Sequence, residues 1–158
     1  MLLPLFVLQV VLSIAAWGSI AAWLVVPYVR TQTRQRALLV LLIPQLFRHV
    51  GVTLLVPGVV APGMPRSFAV PTAVGDTATQ LLTVVALVCL HRGWRYAIPL
   101  VWMVNIFGLT DLVLNVVRAA RTGAVAFLQA AWFGPTFIVP LMVVSHVLVF
   151  WVLLRREA

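Results

Sequence analysis

Five stretches of about twenty residues, each nearly free of charge, constrain this chain more than any other feature, because a helix of that length crosses the hydrocarbon core of a bilayer. They cover about residues 3–28, 37–57, 72–90, 96–117 and 126–154. Hydrophobic residues make up 63% of the 158 and charged residues 9%, against roughly 45–50% and 25% in soluble domains. No soluble core of this size hides so much apolar surface. The expected fold is all-α: a single domain over 1–158, built as a bundle of five transmembrane helices.

The connections are short. Arg30 to Arg36 form a basic loop, His91 to Arg95 a tight turn, and Arg118 to Gly123 another turn. Gly58 to Pro71 holds Gly58, Pro62, Gly63, Pro65 and Pro71 and is predicted to be non-helical and the longest connection. The first charge is Arg30, so the N-terminal stretch has no basic region of a signal peptide and is predicted to be the first span.

All basic charge is arginine: 11 of them and no lysine, against two aspartates and one glutamate, giving a formal net charge of +8. Such charge suggests nucleic acid, but these arginines lie in short loops between apolar runs. They are read as topology signals beside anionic lipid at the cytoplasmic face. Arg30, Arg34, Arg36, Arg92, Arg95, Arg155 and Arg156 fall on one side, and Arg66, Arg118 and Arg121 on the other. The richer side is predicted to be cytoplasmic, with the N-terminus outside and the C-terminus inside. Trp23, Tyr28, Trp94, Tyr96 and Trp151 would form the inner aromatic belt. A bacterial inner (plasma) membrane is the expected location.

Arg48 fits neither group, because it lies within the second apolar run beside His49. A charge there costs roughly 2.5–3.5 kcal/mol on insertion scales, so a partner or a purpose is required. At 100° per residue, Gln45, Arg48, His49 and Thr53 fall within roughly 140° of one helix face. Asp76, Thr79, Gln80 and Thr83 fall within roughly 100°, and Asn105, Gly108, Asp111 and Asn115 within roughly 120°. Lipid rejects such stripes, so they are expected to face one another. At 1.5 Å per residue, Asp76 lies about one turn deep, Asp111 about 9 Å and Arg48 about 13 Å from the outer side. An Arg48–Asp111 contact is expected, with Asp76 close by. Arg48, His49, Asp76, Asn105, Asp111, Asn115, Gln45 and Gln80 are the candidate ligand-binding residues.

Gln9, Ser13 and Ala16 on one face of the first helix, with Gly51 and Gly108 beside the polar stripes, signal close helix packing. Pro44, Pro99, Pro135 and Pro140 lie inside spans and are expected to kink them. One cysteine, Cys89, excludes an internal disulfide and any cysteine-ligated metal cluster. The absence of lysine excludes Schiff-base chemistry. No nucleophile elbow, HExxH or phosphate loop occurs, and no metal motif is found. Asp111 with His49 would be the proton-exchange pair of a membrane enzyme on a lipophilic substrate. His49 and His146, on different helices and about 6 Å apart in depth at 1.5 Å per residue, would be the ligands of a b-type haem.

In size and helix number alone the chain is similar to small five-helix membrane proteins such as the tryptophan-rich sensory protein and the emopamil-binding isomerases. Their motifs do not map onto residues here, and no residue role follows. The expected function is binding, sensing or transport of a small molecule or ion through a polar pocket in the outer half of the bundle. The alternatives are an accessory subunit whose polar residues only lock helices together, and an enzyme or haem protein. A transporter of this size would need a homo-oligomer to form a lumen.

Overall fold

The computed structural model describes residues 2–155. Met1, Glu157, Ala158 and Arg156, the last counted above with the cytoplasmic arginines, lie outside the described residues. Five helices are long and apolar enough to cross a membrane: α1 (Leu2–Arg30), α2 (Arg34–Leu55), α3 (Arg66–Arg92), α4 (Ala97–Thr122) and α5 (Gln129–Leu154). The described chain is 86% helical and has no strand. Glycines in the left-handed region, Gly93 at φ 65° and Gly123 at φ 66°, end α3 and α4, as expected where a Cβ would be strained.

One end of the bundle is solid. Val29 of α1, Leu38 of α2, Leu90 of α3, Ala97 of α4 and Leu153 of α5 meet in one buried cluster. The helices therefore run alternately up and down. Arg34 Nη2 donates to the Leu153 carbonyl at 2.7 Å, and the Gln35 amide donates to the Leu90 carbonyl. Arg30 and Arg155 both lie over the Trp151 ring, at 5.9 and 4.7 Å from its centroid. Arg30, Arg34, Arg36, Arg92, Arg95 and Arg155 thus share this end.

The opposite end is built differently. A smaller cluster of Leu54, Phe68, Ala69, Ala124, Leu128 and Ala131 forms its rim. The α2–α3 connection is laced to the start of α5, with Ala61 N donating to Phe127 O at 2.9 Å and Ala131 N to Val59 O at 3.3 Å. The non-helical stretch predicted up to Pro71 is corrected here, because α3 already begins at Arg66. Pro71 falls early in the helix, and burial of Phe68 and Ala69 in the rim outweighs its missing donor. Thr72 Oγ1 bonds back to the Phe68 carbonyl at 2.8 Å.

Three helices depart from regular α geometry: α1 in a π-turn at Ala21–Val25, and α2 and α5 toward this end. α2 is α-helical over Arg34–Leu41 and then a 3-10 helix over Ile43–Leu55. Such runs rarely exceed three or four residues. It begins where Pro44 removes a donor, and the next turn closes by Gln45 N to Leu42 O at 3.0 Å. α5 carries a π-turn at Gly134–Ile138 containing Pro135, and Pro140 starts its regular part. Pro99 lies in the first turn of α4, where no intrahelical donor is lost.

α1 is the peripheral helix. Ala21 and Val29 are its buried residues among those described. It touches α5 through Phe6 against Trp132, Trp17 Nε1 donating to the Phe137 carbonyl at 3.1 Å, and Gln9 accepting from the Trp132 indole.

Candidate functional site

Three residues per turn is what makes the 3-10 segment of α2 a polar ridge. Gln45, Arg48, Gly51 and Leu54 recur at that interval and lie in one line facing α3, α4 and α5. Gln45, Arg48 and Leu54 are buried, and Arg48 is 0% exposed. The α-helical arc expected to join His49 to Arg48 does not exist. In 3-10 geometry neighbouring residues point about 120° apart, and His49 is exposed on the outer surface, its Nδ1 3.2 Å from Leu46 O. The expected polar-face role of His49 is corrected on this ground. Neither the His49–Asp111 pair nor the His49–His146 pair is brought together.

Arg48 meets both aspartates. Its Nη2 lies 2.6 Å from Asp111 Oδ2 in a hydrogen bond and 2.8 Å from Asp76 Oδ1. The second approach is an ion-pair contact without hydrogen-bond alignment, and Asp76 Oδ1 has no hydrogen-bond partner. Nη1 donates to the Gly108 carbonyl at 3.3 Å, and Nε has no partner among the described residues. One guanidinium thus joins α2, α3 and α4.

Asp111 is tied further along α4. Its Oδ2 also accepts from Asn115 Nδ2 at 3.2 Å. Asn115 Oδ1 accepts from Arg118 Nη1 at 2.8 Å and lies 3.0 Å from the Thr72 hydroxyl of α3. A carboxylate only accepts and a guanidinium only donates, so these partners fix the orientation of the amide.

A second polar layer lies beside the first, toward the solid end. Gln45 Nε2 reaches Met142 O at 3.3 Å and Ser145 Oγ at 3.2 Å, and Ser145 donates to Leu41 O at 2.6 Å. Asn105 and His146 clasp each other: Asn105 Nδ2 donates to His146 O at 3.2 Å, and Asn105 Oδ1 lies 2.7 Å from His146 Nδ1. Because the carbonyl only accepts, the amide oxygen must face the ring, and Nδ1 carries the proton. Nε2 is left a buried acceptor without a partner.

Three glycines make these contacts sterically feasible. A Cβ on Gly51 would overlap the Asp76 carboxylate, and one on Gly75 the Asp111 carboxylate. A Cβ on Gly108 would lie 2.8 Å from both His146 Cε1 and Thr79 Cγ2. Gly75, Ser145, Thr72 and Arg118 are not among the expected site residues, and His146 is expected only as a haem ligand. The adjacent Ser145-His146 pair inside an apolar run was the available signal. Gln80 is half-buried with no hydrogen bond described, and Thr79 and Thr83 bond back to their own helix at 2.8 Å each.

At the hollow end lies a cavity of about 290 Å³. Arg48, Asp76, Asn115, Thr72 and Thr53 supply its polar wall, and the rest is apolar, including Phe6, Leu112, Ala119 and Ile138. The 3-10 part of α2 and the π-turn of α5 border it. Irregular backbone at membrane depth is tolerated where it is buried in protein or lines a cavity.

The class defined by this fold is a five-helix bundle of membrane-crossing length, with a buried arginine–dicarboxylate cluster against an apolar cavity. Residues 5–154 match the family described as "Domain of unknown function (DUF8737)", and the chain belongs to that family. No curated protein and no solved structure matches it.

Proposed function

We propose that this is a small integral membrane protein that binds a lipophilic small molecule in the cavity between its helices. The observation that carries the reading is the asymmetry of the bundle. At one end all five helices meet in a buried apolar cluster, beside which a pocket of about 140 Å³ remains between α1, α2 and α5, whereas the other end holds the cavity of about 290 Å³ whose apolar wall ends on Arg48, Asp76 and Asn115. A mostly apolar pocket with a few convergent polar groups is the usual form of a small-molecule site. The arginine-rich solid end is cytoplasmic in this reading, beside anionic lipid. The cavity then occupies the outer half of a bacterial inner membrane, and the N-terminus lies outside.

The test is retention. Protein purified in detergent is expected to yield an apolar small molecule on solvent extraction, detected by mass spectrometry and missing from an Ala119→Trp variant that fills the cavity. Indistinguishable extracts from the two proteins would overturn the reading.

A second reading is supported by the cross-links that Arg48 makes. Its Nη2 lies within ion-pair distance of both carboxylates and Nη1 is spent on a carbonyl, so the cluster clamps α2, α3 and α4 whether or not a ligand binds. The polar residues of an accessory subunit would do the same.

A further inference from the structure

We infer that the cavity takes an organic cation, a protonated amine on a compact apolar body, with Asp76 as its counter-ion; the inference rests on the cavity being a binding site. Arg48 lies against both carboxylates, and the further cation that acts on the cluster, Arg118, acts on Asp111 rather than on Asp76. Of the two carboxylates, Asp111 is served by hydrogen bonds from Arg48 and Asn115 and lies off the cavity wall. Asp76 is 8% exposed, lies on the wall, and is held by the 2.8 Å Arg48 contact alone, its Oδ1 accepting no aligned hydrogen bond among the described residues. A buried carboxylate without a donor is poorly served, and a primary ammonium brings three.

An anion is disfavoured by the same geometry. The Nη atoms of Arg48 are engaged by Asp111, Asp76 and the Gly108 carbonyl and its unpartnered Nε is buried, so an incoming anion would displace a carboxylate and then face it. Arg118, the nearest additional cation on α4, is held by the Asn115 amide and makes no ion pair among those described. Arg48 and Asp76 are the charged side chains on the cavity wall among the described residues. The remaining wall is apolar, and such surroundings strengthen the attraction between Asp76 and a bound cation.

Three probes with one apolar cage separate the head groups: 1-adamantanamine, 1-adamantanol and 1-adamantanecarboxylate. Binding is measured by equilibrium dialysis against protein in nanodiscs of zwitterionic lipid, with empty discs as baseline. The amine is expected to bind saturably and at least about tenfold more tightly than the carboxylate, a difference well within the reach of one buried charge. Asp76→Asn is expected to weaken the amine by a similar factor, and Ala119→Trp to abolish binding of every probe. Tighter or equal binding of the carboxylate overturns the inference, as does amine binding undiminished in a folded Asp76→Asn variant. If Asp76→Asn does not fold, the order of amine and carboxylate on the unaltered protein decides. Equal binding of all three, still lost in Ala119→Trp, leaves the cavity reading standing and removes the cation. No saturable binding by any probe removes both.

Discussion

Arg48 illustrates how a single residue can be costly alone and stabilising in company. Removing a partner from a buried ion pair leaves an uncompensated charge, which costs more than the pair contributes. Arg48→Leu is therefore expected to destabilise the protein by about 3–5 kcal/mol, read as a lowered unfolding midpoint in detergent. The triple change Arg48→Leu, Asp76→Leu and Asp111→Leu removes all three charges and is expected to recover most of that loss. A triple variant as unstable as the single one would sink the clamp. The glycines supply a sharper contrast. Gly108→Ala drives a methyl against His146 and Thr79 at 2.8 Å and is expected to cost about 1–3 kcal/mol. Gly18→Ala meets nothing within 4 Å and is expected to be neutral or to stabilise by up to about 1 kcal/mol, with thermal unfolding of both variants as the check.

At the scale of the element, the 3-10 run of α2 decides which side chains reach the core. Period three aligns Gln45, Arg48, Gly51 and Leu54 and turns His49 outward; period 3.6 would have paired Gln45 with His49 instead. The two histidines are thus expected to respond differently to the same substitution. His49→Leu replaces an exposed ring and should change stability by no more than about 0.5 kcal/mol. His146→Leu leaves the buried Asn105 side chain without its Nδ1 partner and should cost about 1–3 kcal/mol. Equal sensitivity at the two positions, measured by unfolding in detergent, would contradict the register. Composition does not reveal this break, since Pro44 signals a lost donor but not thirteen residues of altered winding.

Across the whole molecule the two ends differ in charge and in packing. The end holding Arg30, Arg34, Arg36, Arg92, Arg95 and Arg155 gathers all five helices in a buried apolar cluster, and the end holding Arg66, Arg118 and Arg121 surrounds the cavity. The orientation is testable with the native cysteine as background, because Cys89 is buried. In intact cells, Pro62→Cys is expected to react with a membrane-impermeant maleimide and Trp94→Cys only after permeabilisation. The reverse pattern would invert the bundle.

The apolar runs determined the helix count, because each is long and apolar enough to form a helix that could cross a membrane. The lone buried arginine likewise required acidic partners, and Asp76 and Asp111 are the two that the spans contain. Both followed from the energetics of charge and apolar surface, which are properties of residues. Tertiary packing decided the rest. It set α3 to begin at Arg66, because burial of Phe68 and Ala69 outweighed the proline. It wound α2 so that His49 left the polar face. It brought Gly51 and Gly75 against the two carboxylates, a contact no sequence spacing encodes. The cavity is likewise a difference in packing between two ends of similar composition, and packing belongs to the assembled helices rather than to any one of them.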